Sequence, residues 1–289
     1  MNSDQLQRET ETRVRVAPVA IIAGLLLVIA AVTGLLGSHS NVNEETLALI
    51  IVHKRFPLDL IGAIINAGGL IGLALVLTFL WTATKARRPE LSPSFRILAI
   101  LGGGLAAVSA VIYEIVISVV SNQFVTSGQQ TYAQAHHLTS SPIVLALPTI
   151  AFFGDLLLAV AIVTISLNAM RVGLLPRVMG YLGIFVGVLF LFPIGSPVPV
   201  IQAGWMCALA YLFLGRWPNA YPPAWERGEV VPWPSNQKAR EQQVGRPARG
   251  GRGKPVPKPQ PAATAERAVA PAAGSTRATT PKRKRKRRS

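Results

Sequence analysis

Two carboxylates stand inside long apolar runs of this 289-residue chain, Glu114 within roughly Ile97–Val120 and Asp155 within roughly Ile143–Met170. An ionised carboxylate in hydrocarbon costs about 3 kcal/mol or more, so such a group faces a bundle interior or a wet cavity. No lysine or arginine lies deep in either run to neutralise it. Asn66, Tyr113, Gln202 and Tyr211 are the polar groups in apolar runs that could hydrogen-bond to these acids. Three chemistries fit: a protonated acid bonded to a neighbouring helix, a station on a proton or cation path, or a catalytic acid. Antiparallel neighbouring helices with flush ends would separate the two carboxylates by about 9 Å in depth at 1.5 Å per residue. That spacing suits two stations and not a shared proton. The candidate intramembrane polar site is therefore Glu114, Asp155, Asn66 and Tyr113.

A second chemistry lies at the C-terminus. Lys282, Arg283, Lys284, Arg285, Lys286, Arg287 and Arg288 form an unbroken positive block. Such a block binds polyanions by counterion release with little sequence choice. Anionic lipid headgroups, nucleic acid or an acidic protein are its candidate partners, and a topology determinant is the alternative role. Four histidines, His39, His53, His136 and His137, fall in or beside loops, where a pH-sensing or metal role is conceivable but no ligand spacing supports it. Cys207, the single cysteine, excludes an intrachain disulfide and reads as a packing residue. No Walker loop, HExxH, GxSxG or CxxC occurs, so no enzyme activity, cofactor or metal is expected.

The elements that must hold the two acids are helices in a membrane. Half of the residues are hydrophobic, yet the net charge is +16. Residues 217–289 carry 17 Lys/Arg against four Asp/Glu, so most of that charge belongs to a tail behind a nearly neutral apolar body. A helix needs about 20 apolar residues to cross a hydrocarbon core about 30 Å thick. Six stretches qualify: Pro18–Gly37, Leu60–Thr82, Ile97–Val120, Ile143–Met170, Val178–Gly195 and Val198–Arg216. The first is expected to be a retained anchor, because its apolar run exceeds a signal-peptide core. Six spans put 27 of the 29 Lys/Arg on one side, so both termini are expected in the cytoplasm.

The expected class is an all-α integral membrane protein, a six-helix transmembrane bundle with a disordered basic tail, sited in the plasma membrane. Its parts are a cytoplasmic segment 1–17, the bundle 18–216, a Trp/Pro-rich juxtamembrane segment 217–234 and the tail 235–289. Leu47–Val52 is too short to span and is expected to lie as a short helix on the outer surface, a re-entrant segment being the alternative. Gly68, Gly69, Gly72, the triplet Gly102–Gly104 and Gly183/Gly187 are expected to mark close helix contacts, and Pro148 to kink its helix. Trp81, Trp217 and Tyr181 suit the inner interface. The prolines around Trp217, Trp225 and Trp233 suggest an extended interfacial strap rather than a helix.

The stretch NAMRVGLLPRVMGYLGIFVGVLFLFPIG, then LFLGRWPNAYPPAWERGEVVPWP and the basic end, resembles a family of uncharacterised actinobacterial multi-pass membrane proteins, a domain of unknown function. The LLPRxxGxLG turn is similar to a wider bacterial family. The resemblance covers mainly Asn168–Pro234. It implies a bacterial plasma membrane and about six spans, and it assigns no functional residue. Membrane lipids are the expected partners, with an anionic lipid or other polyanion at the tail.

Overall fold

The computed structural model describes residues 3–35, 45–127, 129–191, 198–217 and 222–231. The chain divides after Lys238, and everything beyond lies outside the described residues. So do the expected anion-binding block Lys282–Arg288, the tail from 235, Trp233 and His39.

Eight helices and no strand occur among the described residues: α1 Ser3–Leu35, α2 Glu45–Arg87, α3 Ser94–Ser127, α4 Tyr132–Thr139, α5 Pro142–Arg171, α6 Arg177–Leu191, α7 Val198–Phe213 and α8 Pro223–Arg227. Four of them, α1, α2, α3 and α5, are long and apolar enough to cross a membrane. The apolar helices α6 and α7 have 15 and 16 residues, a rise of only about 22–24 Å. α2 packs between α1 and α3, α3 on α5, α5 on α6, and α7 closes back onto α1. Leu and Ile side chains on these faces fill one core, with Leu77, Leu80, Leu158, Ile162, Ile165 and Leu209 fully buried. Exposed Ile and Leu side chains on the outer faces, such as Ile61, Ile64 and Ile71, are what a bundle bathed in lipid rather than water presents.

Small residues set how close these helices come. A methyl group on Gly102 would meet the Leu158 nitrogen at 2.6 Å, and one on Gly154 would meet the Ala106 nitrogen at 2.6 Å, so α3 and α5 touch backbone to backbone. Gly103 faces Leu70 and Ala74 of α2, Gly72 faces Ala23 of α1, and Gly183 and Gly187 face α5. Gly104 departs from expectation: nothing lies within 4 Å of the place its methyl would occupy. Three successive residues of a helix point about 100° apart, and only two helices are there to be met.

The short outer helix expected at Leu47–Val52 is absent. α2 runs unbroken from Glu45 through Pro57 to Arg87, 43 residues, or about 64 Å, twice the hydrocarbon thickness. Leu49 packs with Ile117 and Phe124 of α3, Ala135 of α4 and Val144 of α5. This second small core gives the segment a protein partner, so it has no need of a membrane surface. α5 likewise continues through Pro148 as one helix.

The end of the bundle that collects Arg13, Arg87, Arg88, Arg171 and Arg177 is called here the basic end. α8 closes it. Pro222 precedes the first turn, Pro223 occupies it, and Gly228 ends it with a positive φ of 67°. Proline at the first helical position loses no hydrogen bond, and glycine tolerates the left-handed cap. The expected extended strap is therefore replaced over Pro223–Arg227 by a turn of helix whose Trp225 plugs the bundle. The Trp225 ring stacks on Phe79 at 6.1 Å, meets Phe213 edge-on, and donates its Nε1 hydrogen to the Leu174 carbonyl at 2.9 Å. Beyond it, Val231 donates its amide to the Val172 carbonyl beside Gly173, whose φ is 84°.

Candidate functional site

The four residues expected to form a polar site line one cavity of about 550 Å³ towards the end remote from the basic one. α2 contributes Asp59, Ala63, Asn66 and Leu70, four residues that share a helical face at spacings of three or four. α3 contributes Ala110, Tyr113 and Glu114, and α5 contributes Phe152 and Asp155. The start of α7 adds Gln202, buried to 6% exposure. The space exists because the facing wall is made of small residues, Ala30, Ala31 and Gly34 on α1 with Gly62 on α2.

The acids occupy two levels. The close approach of Gly102 and Gly154 sets the register of α3 on α5 and places Asp155 near the level of Gly104. Glu114 then lies about ten residues, or ~15 Å, farther along the axis. The flush-end expectation of about 9 Å is corrected because the ends are not flush: the same register sets the first turn of α5 beside the stretch of α3 that follows Glu114, and α3 runs on past it to Ser127. The contact of Gly103 with Leu70 and Ala74 puts Asp59 near the level of Glu114, and the two carboxylates act on each other electrostatically. The outer level thus holds Asp59, Glu114 and Tyr113, the inner level Asp155 and Gln202, with Asn66 between them.

Asp59 was absent from the expected site because it stands one residue before the apolar run Leu60–Thr82. Its phase with Asn66, seven residues on, is the signal that would have found it. It carries a partner: Arg55, one turn earlier, reaches Asp59 at 3.3 Å. Glu114 and Asp155 have no ion-pair partner among the described residues. Tyr211 lies elsewhere, half exposed, and makes no part of the lining. Towards the basic end the interior below Asp155 is filled by Leu158, Ile162, Met206 and Leu209, none with any exposed surface. The cavity is blind on that side.

His136 does structural work. His136 approaches both oxygens of Glu45 at 3.3 Å and stacks on Tyr132, tying α4 to the start of α2. No cluster of three metal-ligating side chains occurs among the described residues. Cys207 is exposed on α7 and does not pack in the core as expected; it follows two buried residues and falls on the outward face.

A buried charge that the sequence did not single out sits at the basic end. The Arg87 side chain has no exposed surface, and each of its three guanidinium nitrogens meets an acceptor. It donates to Glu9 at 2.8 Å, to the Ala83 carbonyl at 2.8 Å, and twice to the Ala224 carbonyl at 2.7 and 3.0 Å. Arg13 and Arg87 lie over the Trp225 ring at 5.5 and 5.3 Å. Trp81 is also structural: it donates to the Ser92 carbonyl at 3.1 Å and carries Lys85 and Arg96 over its face.

No protein family, curated protein or solved structure matches the chain.

Proposed function

We propose that the chain is a non-enzymatic integral membrane protein that takes a proton or small cation into the cavity lined by Asp59, Glu114 and Asp155. The observation that carries this reading is the gathering of three carboxylates with Asn66, Tyr113 and Gln202 around one space. Acids kept inside apolar helices face wet interiors and commonly mark ion and proton paths. The two levels, ~15 Å apart by helical rise, act as successive stations reached from the remote end. The packed residues below Asp155 are the closed gate.

Six spans with both termini in the cytoplasm remain the proposed topology. The short helices α6 and α7, joined through 192–197, would cross by thinning the bilayer locally, a modest cost per ångström of mismatch. The Lys/Arg distribution supports the basic end as cytoplasmic. The resemblance of Asn168–Pro234 supports a bacterial plasma membrane as the site. A second reading rests on the charge of Lys282–Arg288: the tail contacts anionic lipid or another polyanion at the cytoplasmic face, alongside whatever the cavity does.

The test of the first reading is flux. In proteoliposomes holding the full chain, a pH gradient should drive proton or cation uptake, and Asp155→Asn should abolish it. Absence of any flux, or the same flux in Asp155→Asn, overturns the proposal.

A further inference from the structure

A groove of about 620 Å³ lies at the basic end between α1, α2 and the turn into α3. One stretch of its wall is apolar, with Leu75 and Phe79. The other carries Arg8, Lys85 and Arg96. Glu9 is the one carboxylate in the lining, and its Oε1 is already taken by Arg87 at 2.8 Å. Arg8, Lys85 and Arg96 have no ion pair among the described residues. The groove therefore offers three positive charges with no internal counterion.

Two of those charges are held in place. Lys85 Nζ lies 4.9 Å and Arg96 Cζ 5.7 Å from the centre of the Trp81 ring, itself fixed by its bond to Ser92. Cations poised on an aromatic face lose less freedom when an anion arrives. The change from Leu75 and Phe79 to Lys85, with Arg96 of α3 beside the same Trp81 ring, runs along α2 over about three turns, or ~15 Å. That is the change from acyl chain to headgroup phosphate in one leaflet.

From this arrangement we infer that the groove is a binding site for an anionic phospholipid of the adjacent leaflet. Arg8, Lys85 and Arg96 take the phosphate, and Leu75 and Phe79 take the first carbons of a chain. Basic pockets between spanning helices bind such headgroups for this reason. The chain's own tail is repelled, since it is itself strongly basic. A soluble phosphate would leave the apolar wall bare. This inference needs the membrane reading and does not need the cavity to conduct.

Native mass spectrometry of the full chain, delipidated in neutral detergent, tests it. Dioctanoyl phosphatidylglycerol should add as one tightly held adduct, while dioctanoyl phosphatidylcholine and inorganic phosphate at the same concentration should not. The triple variant Arg8→Gln/Lys85→Gln/Arg96→Gln should weaken that adduct by roughly tenfold or more. The single variant Arg96→Gln, at an exposed position, gives a milder loss if the triple variant does not fold. Neutralising three residues of the terminal block, Lys284→Gln/Arg285→Gln/Lys286→Gln, should leave the adduct in place. Equal retention of the glycerol lipid by the groove variants overturns the proposal, as does loss only in the tail variant. Equal occupancy by inorganic phosphate makes it a soluble-anion site and overturns it too.

Discussion

The two ends of this bundle face the same physical problem, a charge among apolar helices, and handle it in opposite ways. At the basic end Arg87 is fully buried and each of its three guanidinium nitrogens is answered, by Glu9 and by the carbonyls of Ala83 and Ala224. At the remote end Glu114 and Asp155 border open space with no ion-pair partner among the described residues. A buried charge held by an acid and two carbonyls is a structural part, because its charge is already spent inside the fold. An unsaturated one beside a cavity is available to a ligand. The contrast makes Arg87 a part that holds the molecule together and leaves the acids as the groups open to the proposed ligand.

The largest expected effect tests the structural half. Arg87→Met strands Glu9 and the Ala224 carbonyl, and removing one partner of a buried pair costs about 3–5 kcal/mol. Denaturant or thermal unfolding in detergent should read that loss. The double variant Glu9→Leu/Arg87→Met should recover part of it, because the acid no longer sits buried without Arg87, while half-buried Arg13 loses Glu9 as a neighbour. A full-sized loss in the double variant would mean that the Ala224 contact or the attraction of Glu9 for Arg13, not the Glu9–Arg87 ion pair, carries the effect.

Next come two glycines that look alike in the chain. Gly102→Ala drives a methyl group into the α5 backbone at Leu158, and overpacking of this kind costs about 1–3 kcal/mol. Gly104→Ala meets open space and should stabilise α3 by about 0.5–1 kcal/mol through lower chain entropy. The same unfolding assay on both variants checks the sign. Two losses of equal size would discard the register on which the two acid levels depend.

The smallest stability effect belongs to Asp155→Asn, the variant that should abolish uptake. With no partner to strand, it should change unfolding by no more than about 0.5 kcal/mol. A loss approaching that of Arg87→Met would collapse the comparison and make Asp155 a structural acid.

Much of this was legible beforehand, and the misses share a cause. Glu114, Asp155, Asn66, Tyr113 and Gln202 stood out as polar groups in apolar runs, and all five line the cavity. Tyr211 stood out equally and lies elsewhere, since one polar side chain does not tell which way its helix is turned. Asp59 was hidden by a boundary drawn at Leu60. Arg87 looked like an ordinary loop charge, because its partners Glu9 and Ala224 are 78 and 137 residues away in the chain. Leu47–Val52 was read as a surface segment because the core that receives Leu49 comes from α3, α4 and α5.

By itself the sequence determined the all-helical class, the apolar runs and their small-residue faces, and the charge divided between body and tail. Those properties are local, since hydrophobic length and helical period are set by residues within a few turns of one another. The tertiary structure alone decided which small faces meet and at what height. Contacts such as Gly102 with Leu158 fix axial register between helices far apart in sequence, and no local pattern encodes that offset. Register is what set Asp59 beside Glu114, lowered Asp155 by ~15 Å of helical rise, and carried Trp225 back to Arg87.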